Sequence, residues 1–323
     1  MCHPEIHERK DSRAPEIASG TVDNVMLIAN PRAGSVSMRT KEVIVKALAA
    51  DFKLEVHDTT ARDHASELAL DAARRGFDAV LAFGGDGTIN EVAQPLVGTG
   101  VALGFLPGGA TNVLARSLGF PRDPVEATAV CAARMRSGQV RRVGVGRIDE
   151  RYFLFSCGMG LDAEVVKRVE ADPDRHVKTR EWIFLRHAFA AGATTYRTTE
   201  ELLEVEVQGQ EPFPAVFAIV CNGRPFTYFK RFPVDVCPQA RLDRKLDLFG
   251  LAKVRWGTIP RIVWSIFISR SHVRWRNSRY FHDIEAATLR AHSALPVQVD
   301  GDFIGHRTTA EVSFVPDSLS LLV

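Results

Sequence analysis

Val80-Leu81-Ala82-Phe83-Gly84-Gly85-Asp86-Gly87-Thr88-Ile89-Asn90-Glu91 is the stretch that decides the fold. An apolar strand runs into three glycines and an aspartate, and a helix follows from Thr88 toward Gly98. The glycines let bare backbone approach a ligand. A helix N-terminus offers unpaired N–H groups and a positive dipole end. Together they hold phosphate. The aspartate alone would repel phosphate, and it makes sense if a divalent cation sits between them. Thr88-x-x-Glu91 also reads as a capping box, in which Glu91 closes its own helix. Three glycines around one acid exceed what a turn requires.

Working outward, the same strand–loop–helix unit repeats. Val25–Ala29 runs into Asn30-Pro31-Arg32-Ala33-Gly34-Ser35, and a helical face of Val43, Ile44, Ala47 and Leu48 follows. Lys53–His57 is a second strand, and a helix through Leu68, Ala69 and Ala72 ends at Gly76. Val101–Leu106 leads into Pro107-Gly108-Gly109-Ala110-Thr111-Asn112. Repeated βα units predict a parallel sheet with helices on its faces, and ligands then bind at the carboxyl ends of the strands. The three glycine-bearing loops all fall there.

The pattern changes near Val140. Arg151–Cys157, Leu202–Gln208, Pro214–Cys221, Lys245–Val254, Ile284–Ala291 and Val297–Asp300 read as strands, with helices at about Ala163–Glu170, Arg180–Ala193 and Thr258–Ile268. Leu203, Val205 and Val207 alternate with Glu204, Glu206 and Gln208, as in a half-exposed antiparallel strand. The expected division is a mobile tail over 1–21, an α/β domain over 22–142 and a β-rich domain over 143–308. A closing segment, 309–323, returns to the first domain.

Net charge is +2, which implies no nucleic-acid partner. Cys2, Cys131, Cys157, Cys221 and Cys237 are odd in number and form no CxxC pair, so a disulfide framework or zinc site is not expected and a reducing, cytoplasmic setting is. The first residues lack the apolar core of a signal peptide, and no apolar run is long enough to span a bilayer. The sequence leaves monomer and homodimer open.

Asn-Pro-x-Ala-Gly at Asn30–Gly34, Gly-Gly-Asp-Gly-Thr-x-Asn-Glu at Gly84–Glu91 and Pro-Gly-Gly-Ala-Thr-Asn at Pro107–Asn112 occur in this order. With them the chain resembles the diacylglycerol kinase, sphingosine kinase and ceramide kinase superfamily in its bacterial soluble form. Gly158–Ala163, Pro238–Ala240 and Val299–Gly301 carry the resemblance on to the C-terminus. It implies an α/β domain of the NAD-kinase and diacylglycerol-kinase type joined to a mainly antiparallel β-sandwich. It also implies transfer of a phosphoryl group from ATP, with Mg²⁺, to a lipid hydroxyl, diacylglycerol being the default. ATP would be held by Asn30, Arg32, Gly34, Thr60, Gly84, Gly85, Gly87, Thr88, Glu91, Thr111 and Asn112, and Asp86 would hold the metal.

Phosphoryl transfer also needs a carboxylate to take the hydroxyl proton. The family's usual Asp-Gly-Glu is here Asp300-Gly301-Asp302, so Asp302 is the expected base and Asp300 the second choice. Asp-Gly is equally a hairpin turn. The family's metal-associated Asp-Asp-Gly is altered at Leu242-Asp243-Arg244-Lys245-Leu246-Asp247, and that metal is not expected. Leu248–His282 has no Asp or Glu but mixes arginines with Trp256, Trp264, Phe267 and Trp275. This composition suits an anionic membrane surface or a core-facing helix. On pattern alone the core-facing helix is favoured; the lipid substrate that the resemblance implies is what makes peripheral membrane association the expectation, with Arg224–Pro233 as a second candidate surface. The alternatives are an NAD-kinase-like enzyme with a soluble substrate and a non-catalytic nucleotide- or lipid-binding regulator.

Overall fold

The computed structural model describes residues 22–172, 187, 202–253 and 259–323. The expected tail and the expected helix Arg180–Ala193 lie outside the described residues, apart from His187. In the N-terminal half, β1 (Asn24–Ala29), α1 (Met38–Ala49), β2 (Lys53–Asp58), α2 (His64–Arg74), β3 (Ala79–Gly84), α3 (Asp86–Leu96), β4 (Ala102–Pro107), α4 (Val113–Ser117) and α5 (Pro124–Ser137) follow in turn. The strands pair parallel in the order β2-β1-β3-β4. Helices α1 and α5 pack together, as do α2 and α3, and β3 and β4 are buried along their whole length. Each fully buried side chain in this core, such as Phe83, Phe105 or Leu81, contributes about 1.5–3 kcal/mol.

Local chemistry sets the helix starts. Ser37 Oγ accepts from Thr40 N at 3.0 Å to open α1. Asp123 Oδ1 accepts from the Val125 and Glu126 amides at 2.8 and 3.1 Å, with Pro124 in the first turn of α5. Helix α3 departs from the sequence reading. It begins at Asp86, two residues before Thr88, and its N-cap, Gly85, supplies no side-chain bond. The capping box therefore does not form. Extended Gly85 serves as N-cap, and Asp86 in the first turn suits the positive end of the helix.

The C-terminal half holds β5 (Arg141–Ile148), β6 (Arg151–Phe153), β7 (Ser156–Gly160), α6 (Leu161–Ala171), β8 (Leu203–Val207), β9 (Phe213–Ala215), β10 (Phe217–Cys221), β11 (Thr227–Phe229), β12 (Phe232–Val234), β13 (Leu246–Leu251), α7 (Ile259–Trp264), β14 (Ser278–Ile284), β15 (Ala286–Val299) and β16 (Asp302–Leu321). Within this half the strand pairs are antiparallel. Strand β15 joins most of the two strands expected at Ile284–Ala291 and Val297–Asp300, with Ile284 ending β14 and Asp300 in the turn that follows. Its first part lies against β8 and its last part against β7, after a register shift between Arg290 and Leu295. It thus belongs to both layers of a sandwich whose core includes Met159, Val205, Val220, Leu248, Leu289 and Val312. The far end of β16 runs parallel to β4, Ser320 opposite Ala102 and Leu321 opposite Leu103. One strand is therefore shared by the two halves.

Candidate active site

The three glycine-bearing loops meet at the carboxyl ends of β1, β3 and β4. Asn30 N donates to Phe83 O at 2.9 Å, Gly108 N to Gly84 O at 2.7 Å, and Ser35 N to Gly108 O at 2.9 Å. Asn30 Nδ2 donates to Thr88 Oγ1 at 3.1 Å, which ties the first loop to α3. A Cβ built on Gly109 would lie 2.6 Å from Gly85 Cα and 3.0 Å from Asn112 Oδ1. No rotamer relieves a clash with backbone. Gly109→Ala is expected to push the loops apart, costing about 1–3 kcal/mol of stability and weakening any phosphate binding at the cradle. Denaturant melts and nucleotide titration read the two effects separately.

Asp302 reaches this cradle from the other half of the molecule. A Cβ on Gly87 would lie 2.9 Å from Asp302 Oδ2, so the carboxylate rests on the glycine loop itself. Glycine at 87 leaves the room. Glu91 is near, and burial first, with the charges of Asp63 and Asp302, raises its pKa. Its carboxylate accepts from the backbone of Asp63 and Ala65 at the start of α2. Glu91 therefore serves the neighbouring helix, whose N-cap Asp63 makes no side-chain cap bond.

Asp300 sits two residues from Asp302 but in different surroundings. The turn after β15 has Asp300 at φ 49° and Gly301 at φ 84°, the left-handed pair that a two-residue hairpin needs. Asp300 is buried and accepts from Asn90 Nδ2 (2.8 Å), Leu154 N (2.7 Å), Phe155 N (2.9 Å) and Ser156 N (3.0 Å). Asn90 lies on α3, so Asp300 bolts the turn to both halves. Burial pushes its carboxyl up to about 6 against the pull of those donors. Asp300→Ala would leave them unpaired in the interior, and an expected loss of at least about 1–3 kcal/mol in a urea melt tests this role.

A second buried carboxyl, Asp162 on α6, lies behind the turn. Gln298 Nε2 donates to Asp162 Oδ2 at 3.1 Å, and Gln298 Oε1 accepts from Gly301 N at 3.0 Å. Gly158 leaves the space, since a Cβ there would lie 1.9 Å from Asp162 Oδ2. Among the described residues, Asp162 Oδ1 is buried and has no hydrogen-bond partner. Burial pushes this carboxyl from 3.8 up to about 7. The folded state thus prefers the protonated acid. The stability that this preference gives is complete below pH 3.8 and is lost as pH rises to about 7. Denaturant midpoints are expected to fall across that window, and to fall less in Asp162→Asn.

The other expected residues divide. Asn30 Oδ1 accepts from Arg32 N at 3.0 Å, closing its own loop. Arg32 is exposed, and the space where a Gly34 side chain would stand is open. Thr60 bonds His64 Nδ1 through N and Oγ1, both at 3.1 Å. Asn112 folds back on its loop, Oδ1 accepting from Gly109 N and Nδ2 donating to Gly109 O. Thr111 O accepts from Arg116 Nη1 at 3.3 Å. Asp86 is half-buried, with Oδ1 accepting from Leu114 N at 3.3 Å. That hard oxygen donor beside a helix start whose N-cap, Gly85, has no side chain to bond its amides, and beside a glycine cradle, fits Mg²⁺ with phosphate. At the altered Asp-Asp-Gly, Arg244 pairs with Asp283 (3.1 Å) and Lys245 with Glu285 (2.6 Å). A hollow of about 450 Å³ lined by Asn24, Lys53 and Phe77 lies at the opposite ends of the strands, away from this chemistry.

Sequence reasoning left Asn90, Gln94, Arg116 and Gln298 without roles. Asn90 and Gln94 both donate to Tyr152 O, and Gln94 Oε1 accepts from Tyr152 N, forming the seam between α3 and the second half. Amides with partners some 60 residues away leave no local signature.

Residues 24–148 match the diacylglycerol kinase catalytic domain family. A diacylglycerol kinase from Bacillus subtilis is 35% identical over 143 residues, 43% of this chain and 46% of that protein. The match thus spans under half of that relative. A diacylglycerol kinase from Mycobacterium tuberculosis is 28% identical over 270 residues, covering 80% of this chain and 81% of that one. A crystal structure of a diacylglycerol kinase from Bacillus anthracis superposes with a TM-score of 0.67 at 21% identity over 93% of this chain and 96% of that one. At that identity it shows the shared two-part fold.

Proposed function

We propose that this chain, whose residues 24–148 match the diacylglycerol kinase catalytic domain family, transfers the γ-phosphoryl group of ATP to a lipid hydroxyl at a membrane surface. Diacylglycerol is the preferred acceptor, giving phosphatidic acid. The observation that carries this reading is Asp302 lying against Gly87, a carboxylate of one half on the phosphate loop of the other.

Such a transfer needs positioning, charge neutralisation and a proton acceptor. The Gly85–Thr88 backbone at the start of α3 presents amides toward the phosphates. Asp86 would hold Mg²⁺, which neutralises phosphate charge when bound. The lipid hydroxyl approaches beside the β15–β16 turn, and its proton passes to a carboxylate oxygen of Asp302. Asp300, with its oxygens engaged by four donors, holds the turn at that depth.

The test is incubation with MgATP and a bacterial lipid extract, with mass analysis of products. A new phosphorylated lipid is expected, and its mass names the acceptor. An extract left unchanged, with NAD⁺ phosphorylated in parallel, would replace this reading with a soluble-substrate kinase.

A further inference from the structure

Large apolar side chains rarely stand exposed in groups on a soluble surface. Among the described residues seven do stand exposed, and four of these are spread over α1, α2 and α5. The other three, Phe232 (61% exposed), Trp264 (60%) and Ile268 (59%), come from two adjoining pieces of the C-terminal half. Strands β11 and β12 form a separate hairpin carrying Phe232. It packs against the π-turn Ser265–Ser269 that follows α7, with Asp235 N donating to Ile266 O at 3.3 Å and Arg270 Nη2 lying 2.7 Å from Asp235.

The α7 segment therefore has two apolar sides. Ile262 and Ile266 pack inward on a small core with Phe249 and Val236. Trp264 and Ile268 point outward. A core-facing helix accounts for the first pair and leaves the second unexplained. The charges around them are of one sign. No Asp or Glu occurs from Leu248 to His282, and the nearby Asp235 is buried between Arg224 and Arg270. Lys230, Arg231 and Arg261 are exposed, Arg261 lying 5.0 Å over the Trp275 ring.

The same hairpin reaches the candidate active site. The Arg116 guanidinium lies 3.4 Å over the Tyr228 ring, and Arg116 and Arg122 both donate to Lys230 O. Arg116 also donates to Thr111 O in the loop packed on the glycine cradle. One short ribbon thus connects an exposed aromatic and basic surface with the phosphate loops.

We propose that Phe232, Trp264 and Ile268, rimmed by Lys230, Arg231 and Arg261, form the surface on which this chain docks to an anionic lipid bilayer. Tryptophan favours the interfacial layer, and basic residues are drawn to anionic headgroups. Docking on this side brings the hairpin, and through Arg116 the nucleotide loops, to the membrane plane where a lipid hydroxyl is presented. The inference deepens the proposed lipid phosphorylation and takes its purpose from it, while the docking chemistry stands on the surface itself.

The experiment is co-sedimentation of the full chain with phosphatidylcholine vesicles, plain or containing about a third phosphatidylglycerol. Wild-type protein is expected to sediment with the anionic vesicles only, and high salt is expected to release it. Arg231→Glu/Arg261→Glu should lower partitioning at least about tenfold, taking about fivefold per surface charge, and Trp264→Ser/Ile268→Ser should lower it at least about tenfold through the lost apolar contact. Met38→Ser on α1 should change nothing, and thermal unfolding verifies that each variant is folded. Variants that bind as wild type does, or a wild type indifferent to anionic lipid, overturn the docking surface. Vesicle binding that tracks these residues while no lipid is phosphorylated sinks the kinase reading and leaves the surface standing. Lipid phosphorylation with binding unchanged in both variants does the reverse.

Discussion

Asp302→Asn is expected to leave the chain folded and able to bind ATP, while lowering phosphoryl transfer by about 10²–10⁴-fold. The amide is isosteric and cannot accept a proton. Asp302 opens β16 opposite Val299, so its backbone is fixed by the hairpin. Its Oδ2 lies 2.9 Å from where a Cβ on Gly87 would stand. The side chain shorter by a methylene therefore spans the cleft without help. For the same reason Asp302→Glu is not expected to raise the rate, because the longer carboxylate would have to fold away from Gly87. Rapid-quench transfer assays beside ATP titrations separate loss of chemistry from loss of binding. A variant Asp302→Asn with wild-type turnover would remove Asp302 from the proton transfer.

Asp86→Asn should be as damaging, by a different route. Asparagine keeps an oxygen for Leu114 N, the 3.3 Å bond that joins α3 to α4. It removes the negative charge that would hold Mg²⁺. Metal stabilisation of the phosphates amounts to several kcal/mol, so a loss of at least about 10²-fold in transfer is expected. The Mg²⁺ concentration needed for half-maximal rate should rise, while the unfolding midpoint stays near that of wild type. Full activity at ordinary Mg²⁺ would show that Asp86 serves only the α3–α4 junction.

The two substitutions also mark what could be read from the sequence. Gly84–Thr88, Asn30–Ser35 and Pro107–Asn112 were legible because each ends an apolar strand and contains the residue that bare backbone contact demands. The Asp300-Gly301 hairpin was legible through its turn chemistry. The start of α3 was not. Thr88-x-x-Glu91 has every local mark of a capping box, yet Thr88 Oγ1 is taken by Asn30 and Glu91 by the start of α2. Both partners are distant in sequence, and tertiary contacts overrode the local preference. The continuity of β15 was hidden by the break in pattern around Ala291–Ser293, where the structure has a register shift and carries the strand on. The bolt from Asn90 to Asp300 spans 210 residues and could be seen only in three dimensions.

On this reading, a phosphate loop on one half and a carboxylate on the other make one transfer site for a lipid alcohol. The most direct measurement follows the terminal phosphate of γ-labelled ATP, with Mg²⁺ present, in one reaction holding diacylglycerol in anionic vesicles and NAD⁺ in solution. The label is predicted to appear in phosphatidic acid, and to fail to appear there with Asp302→Asn. Label found in NADP⁺, or remaining in ATP with the folded wild-type chain, would contradict the account.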